Sequence, residues 1–218
     1  MISTELYERE SLAIGQANSL SKLLTYIEPN AKVLDVGCAT GRLGEYLQLH
    51  TQCRVDAIEA NADSAAIARA YYERLYEIDI ECFDSLAVLD NDYDVIVLAD
   101  VLEHLRQPDV LLLTIKKHLK STGKCLISVP NVGHAAVILQ LLQQGFHYLE
   151  HGLLDKTHVH FFSHHNLPSF FKAVDMSWEL LDRVIVGVQG TELSNLLMDG
   201  LPSRSEEHTS ELQSRQSI

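Results

Sequence analysis

The sequence predicts an α/β fold, a doubly wound and mostly parallel sheet with helices on both faces. Three observations carry this expectation. Short apolar segments rich in β-branched residues recur along the 218 residues. Most of them are separated by stretches long enough for a helix, and those stretches carry helix start and stop residues at their ends.

The elements follow in order. Leu20, Leu23, Leu24 and Ile27 recur at helical spacing and the run stops at Pro29-Asn30, which predicts a leading helix. "KVLDVG" (32–37) reads as the first strand and "RVDAIEA" (54–60) as the second. Asn61 can cap the alanine-rich helix "ADSAAIARAYYERL". "YEIDIE" (76–81) is a weaker strand candidate, and "DVIVLAD" (94–100) a stronger one. Pro108 opens a helix over "PDVLLLTIKKHLK", with lysines in its last turn and Gly123 as its stop. The next strand, "KCLISVP" (124–130), is expected to start there. "AVILQLLQQGF" (136–146) reads as a packing helix, since it is too short to span a membrane and lacks a basic face. "WELLDRVIVG" (178–187) is the sixth strand candidate, followed by a helix-like "ELSNLLM".

Charge and cysteines bound the function. Seventeen Lys and Arg stand against thirty Asp and Glu, a formal charge of −13. So acidic a surface repels phosphate backbones, so no nucleic-acid partner is expected. No apolar run reaches the roughly 18 residues of a membrane span, and "MISTELYERE" lacks the basic and apolar stretches of a signal peptide. A soluble, cytoplasmic protein is expected, without a membrane partner. Cys38, Cys53, Cys82 and Cys125 are far apart with no C-x-x-C pair, so reduced, mostly buried thiols are expected.

The chemistry concentrates in "KVLDVGCATGRLGEYL" (32–47), where an apolar strand runs through Asp35 into Gly37, Ala39 and Gly41 and then into a helix. Glycines at such a turn let the backbone pass close to a ligand, and the N–H groups of the helix start favour an anionic group. A dinucleotide fingerprint needs glycine at 37, 39 and 42, and Ala39 and Arg42 stand there instead. An NAD-dependent nucleotide-sugar enzyme is therefore the third reading.

The spacing acidic-x-Gly-x-Gly-x-Gly, with Ala39 at the middle glycine, resembles the first motif of class I S-adenosylmethionine-dependent methyltransferases. "YDVIVLADVLEHLRQP" is similar to that family's fourth strand and following turn. "ISVPNVGH" and "GLLDKTHVHFFS" resemble segments of its MetW-like and ubiquinone-O-methyltransferase-like group. The likeness runs over roughly residues 20–188. It implies a Rossmann-like sheet of seven strands in the order 3-2-1-4-5-7-6, the seventh antiparallel, and S-adenosylmethionine as cofactor. Carried over by position, Asp35 orders the methionine amino group, directly or through water, while the backbone at Gly37 and Gly41 approaches the methionine part. Glu59 accepts both ribose hydroxyls, Asp79 and Ile80 hold the adenine, and Ala99 or Asp100 lines the methionine side. The implied reaction is methyl transfer to a small-molecule or glycan-like acceptor. The alternative is a non-catalytic cofactor-binding partner protein of the MetW-like kind.

Acceptor-side residues follow from the remaining chemistry. If a helix begins near Asp100, the i, i+3, i+4 spacing puts Asp100, Glu103 and His104 on one side of a turn, and similar clusters in ubiquinone-type relatives can hold a divalent cation. The other readings of that cluster are a stabilised turn and His104 as a base without metal; no metal is expected. Histidines crowd the later region at 134, 147, 151, 158, 160, 164 and 165. His147 and His151 have the spacing of a metal pair, yet no cysteine or acidic third ligand repeats with them. A lid or acceptor pocket with a few functional histidines is preferred. His104 and His158 are the expected catalytic residues. Asp155, Lys156 and Thr157, which interrupt an apolar segment, and Asn131, past the fifth strand, are the expected substrate-binding residues.

Residues 1–203 are expected to form one domain. Arg204–Ser214, "RSEEHTSELQS", resemble the direct translation of a common sequencing-adapter oligonucleotide, so 204–218 are read as a non-native tail. The seventh strand then has no sequence to come from, and six are expected.

Overall fold

In the computed structural model, the described residues are 18–142 and 145–184. They divide into two compact units. The first holds residues up to Val101 and Gln107–Ser128, the second Leu102–Arg106 and residues from Val129 onward.

The first unit is built on a five-stranded sheet in the order β3-β2-β1-β4-β5, every pair parallel. Its strands are β1 (Lys32–Val36), β2 (Arg54–Ile58), β3 (Arg74–Tyr76), β4 (Tyr93–Ala99) and β5 (Leu119–Ser128). Helix α1 (Ser19–Leu24) precedes β1; α2 (Arg42–His50), α3 (Ala62–Ala68) and α4 (Pro108–Ile115) lie in the connections after β1, β2 and β4, and a 3-10 helix over Phe83–Val88 lies between β3 and β4. Every residue of β1 is buried, the pattern of a parallel strand covered on both faces. Val33, Val55, Val95, Val97 and Leu126 join Leu23 and Leu24 of α1 and Leu43 and Leu47 of α2 in one buried cluster. Side chains alternate along a strand, so Leu34, Ile96 and Leu98, also fully buried, point to the opposite face.

The strands number five among the described residues, where the sequence predicts six. Residues 178–184 of the expected sixth strand carry no regular structure; the rest of it, "ELSNLLM" and the adapter-like tail lie outside the described residues. The third strand lies earlier than "YEIDIE". Helix α3 stops at Ala68, a 3-10 turn covers Arg69–Tyr71, and Tyr72 is already extended. Arg74 then pairs with Asp56 of β2, its Nη2 2.6 Å from Asp56 Oδ2, which pins the register. Gly123 is a strand glycine and no helix stop. A 3-10 turn over Lys116–His118 ends α4, β5 opens at Leu119, and the β4–β5 register shifts between Tyr93 and Val95. A Cβ at Gly123 would lie 2.8 Å from the Tyr93 carbonyl oxygen, so the bulge closes only around glycine.

In the second unit are a 3-10 turn over Leu102–His104 and the helices α5 (Ala135–Leu142) and α6 (Leu167–Ala173). The His134 ring accepts at Nδ1 from the Ala136 N–H, satisfying a helix-start donor of α5. Among the described residues, no helix is long and apolar enough to cross a membrane.

Candidate functional site

Parallel register gathers the candidate residues of the first unit at one sheet edge. Val36 pairs with Ile58 and Asp35 with Val97, so the chain leaves β1, β2 and β4 on the same side. That is the carboxyl edge, where open α/β sheets bind ligands.

The loop after β1 turns through left-handed backbone at every second residue: Gly37 at φ 73°, Ala39 at 49° and Gly41 at 86°. The N–H groups of Gly37 and Cys38 both donate to the Ile58 carbonyl, at 2.9 and 3.1 Å, tying the loop to the end of β2. Gly41 is confined by contact as well as by φ, because a Cβ there would lie 3.0 Å from Ala68 Cα. Ala39 holds the left-handed conformation without that freedom. Its N–H donates to Glu59 Oε2 at 2.8 Å, and the Asn61 N–H donates to Glu59 Oε1 at 2.8 Å. Half-buried Glu59 thus clasps the loop after β1 and the start of α3 with one carboxylate. Each oxygen keeps a second acceptor direction.

Asp35 is buried at 3% exposure, and the Tyr72 hydroxyl donates to its Oδ2 at 2.7 Å. The same hydroxyl accepts from the Gly44 N–H at 3.3 Å. Burial pushes the Asp35 carboxyl up to about 7; the Tyr72 bond opposes the rise and the Glu59 charge adds to it. The Thr40 hydroxyl is buried with no hydrogen-bond partner among the described residues.

Asp100 departs from the expected helical turn. Its φ is 53°, and the 3-10 turn begins only at Leu102. Its Oδ1 accepts from the Ser128 hydroxyl at 2.9 Å and its Oδ2 from the Ser19 hydroxyl at 2.8 Å. Ala99 beside it is half-buried. Asp79 is exposed and lies in a turn after β3, where its carboxylate accepts from the Glu81 N–H at 2.9 Å; neighbouring Ile80 is half-buried.

The second unit brings another set together. Ligand atoms of buried Glu103, exposed His104 and buried His158 lie within 4.8 Å of one another. The two imidazoles meet edge to face, with centroids 4.8 Å apart. The Val159 and His160 N–H groups both donate to the Glu103 carbonyl, at 2.9 and 3.0 Å, holding residues 158–160 against the turn. Asp155 Oδ1 accepts from the Thr157 N–H at 2.8 Å and the Thr157 hydroxyl at 2.6 Å. Burial raises the Asp155 carboxyl, but the two Thr157 hydrogen bonds and the nearby His158 and His104 outweigh it, and it stays below the usual carboxylate range. Lys156 reaches Glu150 at 2.5 Å. Asn131 is buried, bridges to Phe162 in the backbone and accepts from the Gly133 N–H at 3.0 Å. His147 and His151 lie outside any helix, so the spacing of a helical metal pair has no helix to act on; His151 instead faces Asp155 at 4.0 Å.

Sequence reasoning missed Tyr72, Thr40, Ser19 and Ser128. Tyr72 sits inside an alanine-rich helical pattern that gives no sign of a buried hydroxyl.

The Asp35 and Glu59 carboxylates, with the buried Thr40 hydroxyl, are chemically suited to a ligand that combines an ammonium and a hydroxylated sugar. A family model described as a methyltransferase domain matches residues 9–177. The ubiquinone biosynthesis O-methyltransferase of Rickettsia conorii is 30% identical over 131 residues, 58% of this chain and 41% of that protein. This chain thus spans well under two thirds of that relative. The protein of the same name from Rickettsia canadensis is 26% identical over 187 residues, 84% of this chain and 69% of its own. In fold, an S-adenosylmethionine-dependent methyltransferase from Archaeoglobus fulgidus superposes with a TM-score of 0.58 at 17% identity, covering 91% of this chain and 88% of that one. With its strand order, its loop after β1 and a family match over most of its length, the chain belongs to the methyltransferase-domain family and carries the class I fold.

Proposed function

We propose that this domain transfers a methyl group from S-adenosylmethionine to a small-molecule or glycan-like acceptor. The observation that carries the reading is the Glu59 carboxylate clasping the Ala39 and Asn61 N–H groups at the carboxyl edge, next to buried Asp35. The cofactor, when bound, supplies an already activated methyl group, so the protein's contribution is alignment and the fate of one proton. Asp35 holds the ammonium of the methionine part. The backbone around Gly37 and Gly41 leaves room for that part, with Ala99 and Asp100 beside it. Glu59 turns its remaining acceptor directions to the ribose, and Asp79 and Ile80 hold the adenine.

On the acceptor side, His104 takes the proton of the attacking group and His158 assists it. Asn131, Asp155, Lys156 and Thr157 shape the segment the acceptor meets. The names of the Rickettsia relatives support a hydroxyl acceptor, and a phenolic hydroxyl at neutral pH needs such a base. The net charge of −13 supports an acceptor other than nucleic acid.

Calorimetry with S-adenosylmethionine, S-adenosylhomocysteine and NAD tests the cofactor; binding of the first two and no binding of NAD is expected. Turnover on a panel of phenols and sugars then tests the enzyme. Tight cofactor binding with no turnover on any member would favour the partner-protein reading.

A further inference from the structure

One hydrogen bond of His104, that to Thr157, bears on which of its ring nitrogens carries the proton. Thr157 Oγ1 lies 3.0 Å from His104 Nδ1 and 2.6 Å from Asp155 Oδ1. A hydroxyl has one proton to give, and an ionised carboxylate only accepts. The Thr157 proton therefore points at Asp155, and toward the imidazole the hydroxyl can only accept. Nδ1 of His104 must then be the donor, which leaves the lone pair on Nε2. The neighbouring ring obeys the same logic. His158 Nδ1 lies 3.3 Å from the Leu153 carbonyl, which only accepts, so it too carries its proton on Nδ1.

The arrangement is built by the local fold. Asp155 bridges to Leu149, its N–H donates to the Gly152 carbonyl at 3.2 Å, and its Oδ1 also takes the Thr157 N–H. The carboxylate is thus fixed before it meets the hydroxyl, and the hydroxyl before it meets the ring. Asp155 is held ionised by those same bonds.

We propose that Asp155 and Thr157 are positioning residues that lock His104 in its Nδ1–H tautomer, making Nε2 the nitrogen that acts on the acceptor. The tautomer itself follows from the second unit alone. Its use in catalysis rests on the methyl-transfer reading above. In that step the acceptor's O–H bond breaks and its proton goes to Nε2; the oxygen's electron pair forms the bond to the methyl carbon as the methyl's bond to sulfur breaks, that pair leaving with the neutral thioether of S-adenosylhomocysteine. The imidazolium keeps its Nδ1–H directed at Thr157, and Asp155 retains its charge throughout. Neutral histidine in water favours the Nε2–H form, so the pair works against the intrinsic preference of the ring. This gives Asp155 and Thr157 a function other than contact with the acceptor.

The full chain, labelled with nitrogen-15 in its histidine rings, tests this through long-range proton–nitrogen spectra at about pH 8.5, well above the ordinary imidazole range. The His104 signals are assigned by their loss in H104Q. The expected pattern is a protonated Nδ1 in the wild type, a shift toward Nε2–H in T157V, and the wild-type pattern kept in T157S. An Nε2–H pattern in the wild type, or identical patterns in T157V and T157S, overturns the proposal. Unchanged calorimetric affinity for S-adenosylmethionine shows that T157V is folded. With an acceptor found by the panel, T157V is expected to lower kcat about 10- to 100-fold, with T157S near wild type. A tautomer shift in T157V without that loss would leave the positioning intact and remove His104 as the base.

Discussion

The Tyr72 hydroxyl donates to the Asp35 carboxylate across 2.7 Å, and both residues are buried. One residue comes from the first strand, the other from just past the 3-10 turn that ends α3. Burial raises the Asp35 carboxyl to about 7, so below that pH the cofactor-free protein buries a neutral acid.

Stability and binding then respond to pH in opposite directions. A carboxyl raised from 3.8 to about 7 contributes stability that is complete below its unfolded value and lost as pH rises through about 7. The Tm of the cofactor-free protein is expected to fall between about pH 5 and pH 8, and D35N is expected to flatten that slope. Binding an ammonium group requires the anion, so at about pH 6, where the ligand's amino group is already charged, S-adenosylmethionine is expected to expel close to one proton, and fewer as pH rises through about 7. Calorimetry in buffers of different ionisation enthalpy counts the protons. No release at the lower pH would detach Asp35 from the amino group.

Glu59 has two tasks in one carboxylate. Replacing it by alanine removes acceptors from the ribose and releases the Ala39 and Asn61 N–H groups together. E59A is expected to weaken S-adenosylmethionine binding at least tenfold, about 1.5–3 kcal/mol. E59Q, which keeps one acceptor but turns a donor toward an N–H, should fall between. Unchanged affinity in E59A would remove the ribose assignment.

Ala39 carries backbone strain that glycine would relieve. At φ 49° a Cβ costs roughly 1–2 kcal/mol, partly offset by the greater freedom glycine has in the unfolded chain. A39G is expected to gain about 0.5–1 kcal/mol, a rise of about 1–4 °C in Tm. A lower Tm in thermal denaturation would show that the alanine methyl contributes packing larger than the strain.

Glu103, His104 and His158 offer ligand atoms within 4.8 Å of one another, and a proton acceptor or a cation could use them. With His104 as the base, turnover is expected to be indifferent to chelators, while H104Q lowers kcat about 100-fold or more with cofactor affinity unchanged. Activity abolished by chelator and restored by magnesium would replace the base with a metal centre.

Sequence alone determined the parts of this protein that rest on local pattern. Apolar segments separated by helical stretches predict the parallel α/β sheet; four of its five strands share several residues with the segments read as strands, and β3 shares only Tyr76. The spacing of Asp35, Gly37, Ala39 and Gly41 located the loop, because left-handed turns leave a mark in residue choice. Only the tertiary structure decided what depends on distant partners. Arg74 enters a strand early because Asp56 draws it there, and α3 stops short because the chain must turn extended to bury Tyr72 on Asp35. Asp100 leaves the helical turn, held by Ser19 and Ser128, which lie 81 and 28 residues away. Thr157 and Asp155, read from sequence as acceptor contacts, are bonded to each other and to a histidine 53 residues before Thr157. The physical reason is common to these cases. Periodicity and turn chemistry are local and survive in the order of residues, whereas a hydrogen bond between groups far apart in the chain exists only once folding has fixed both.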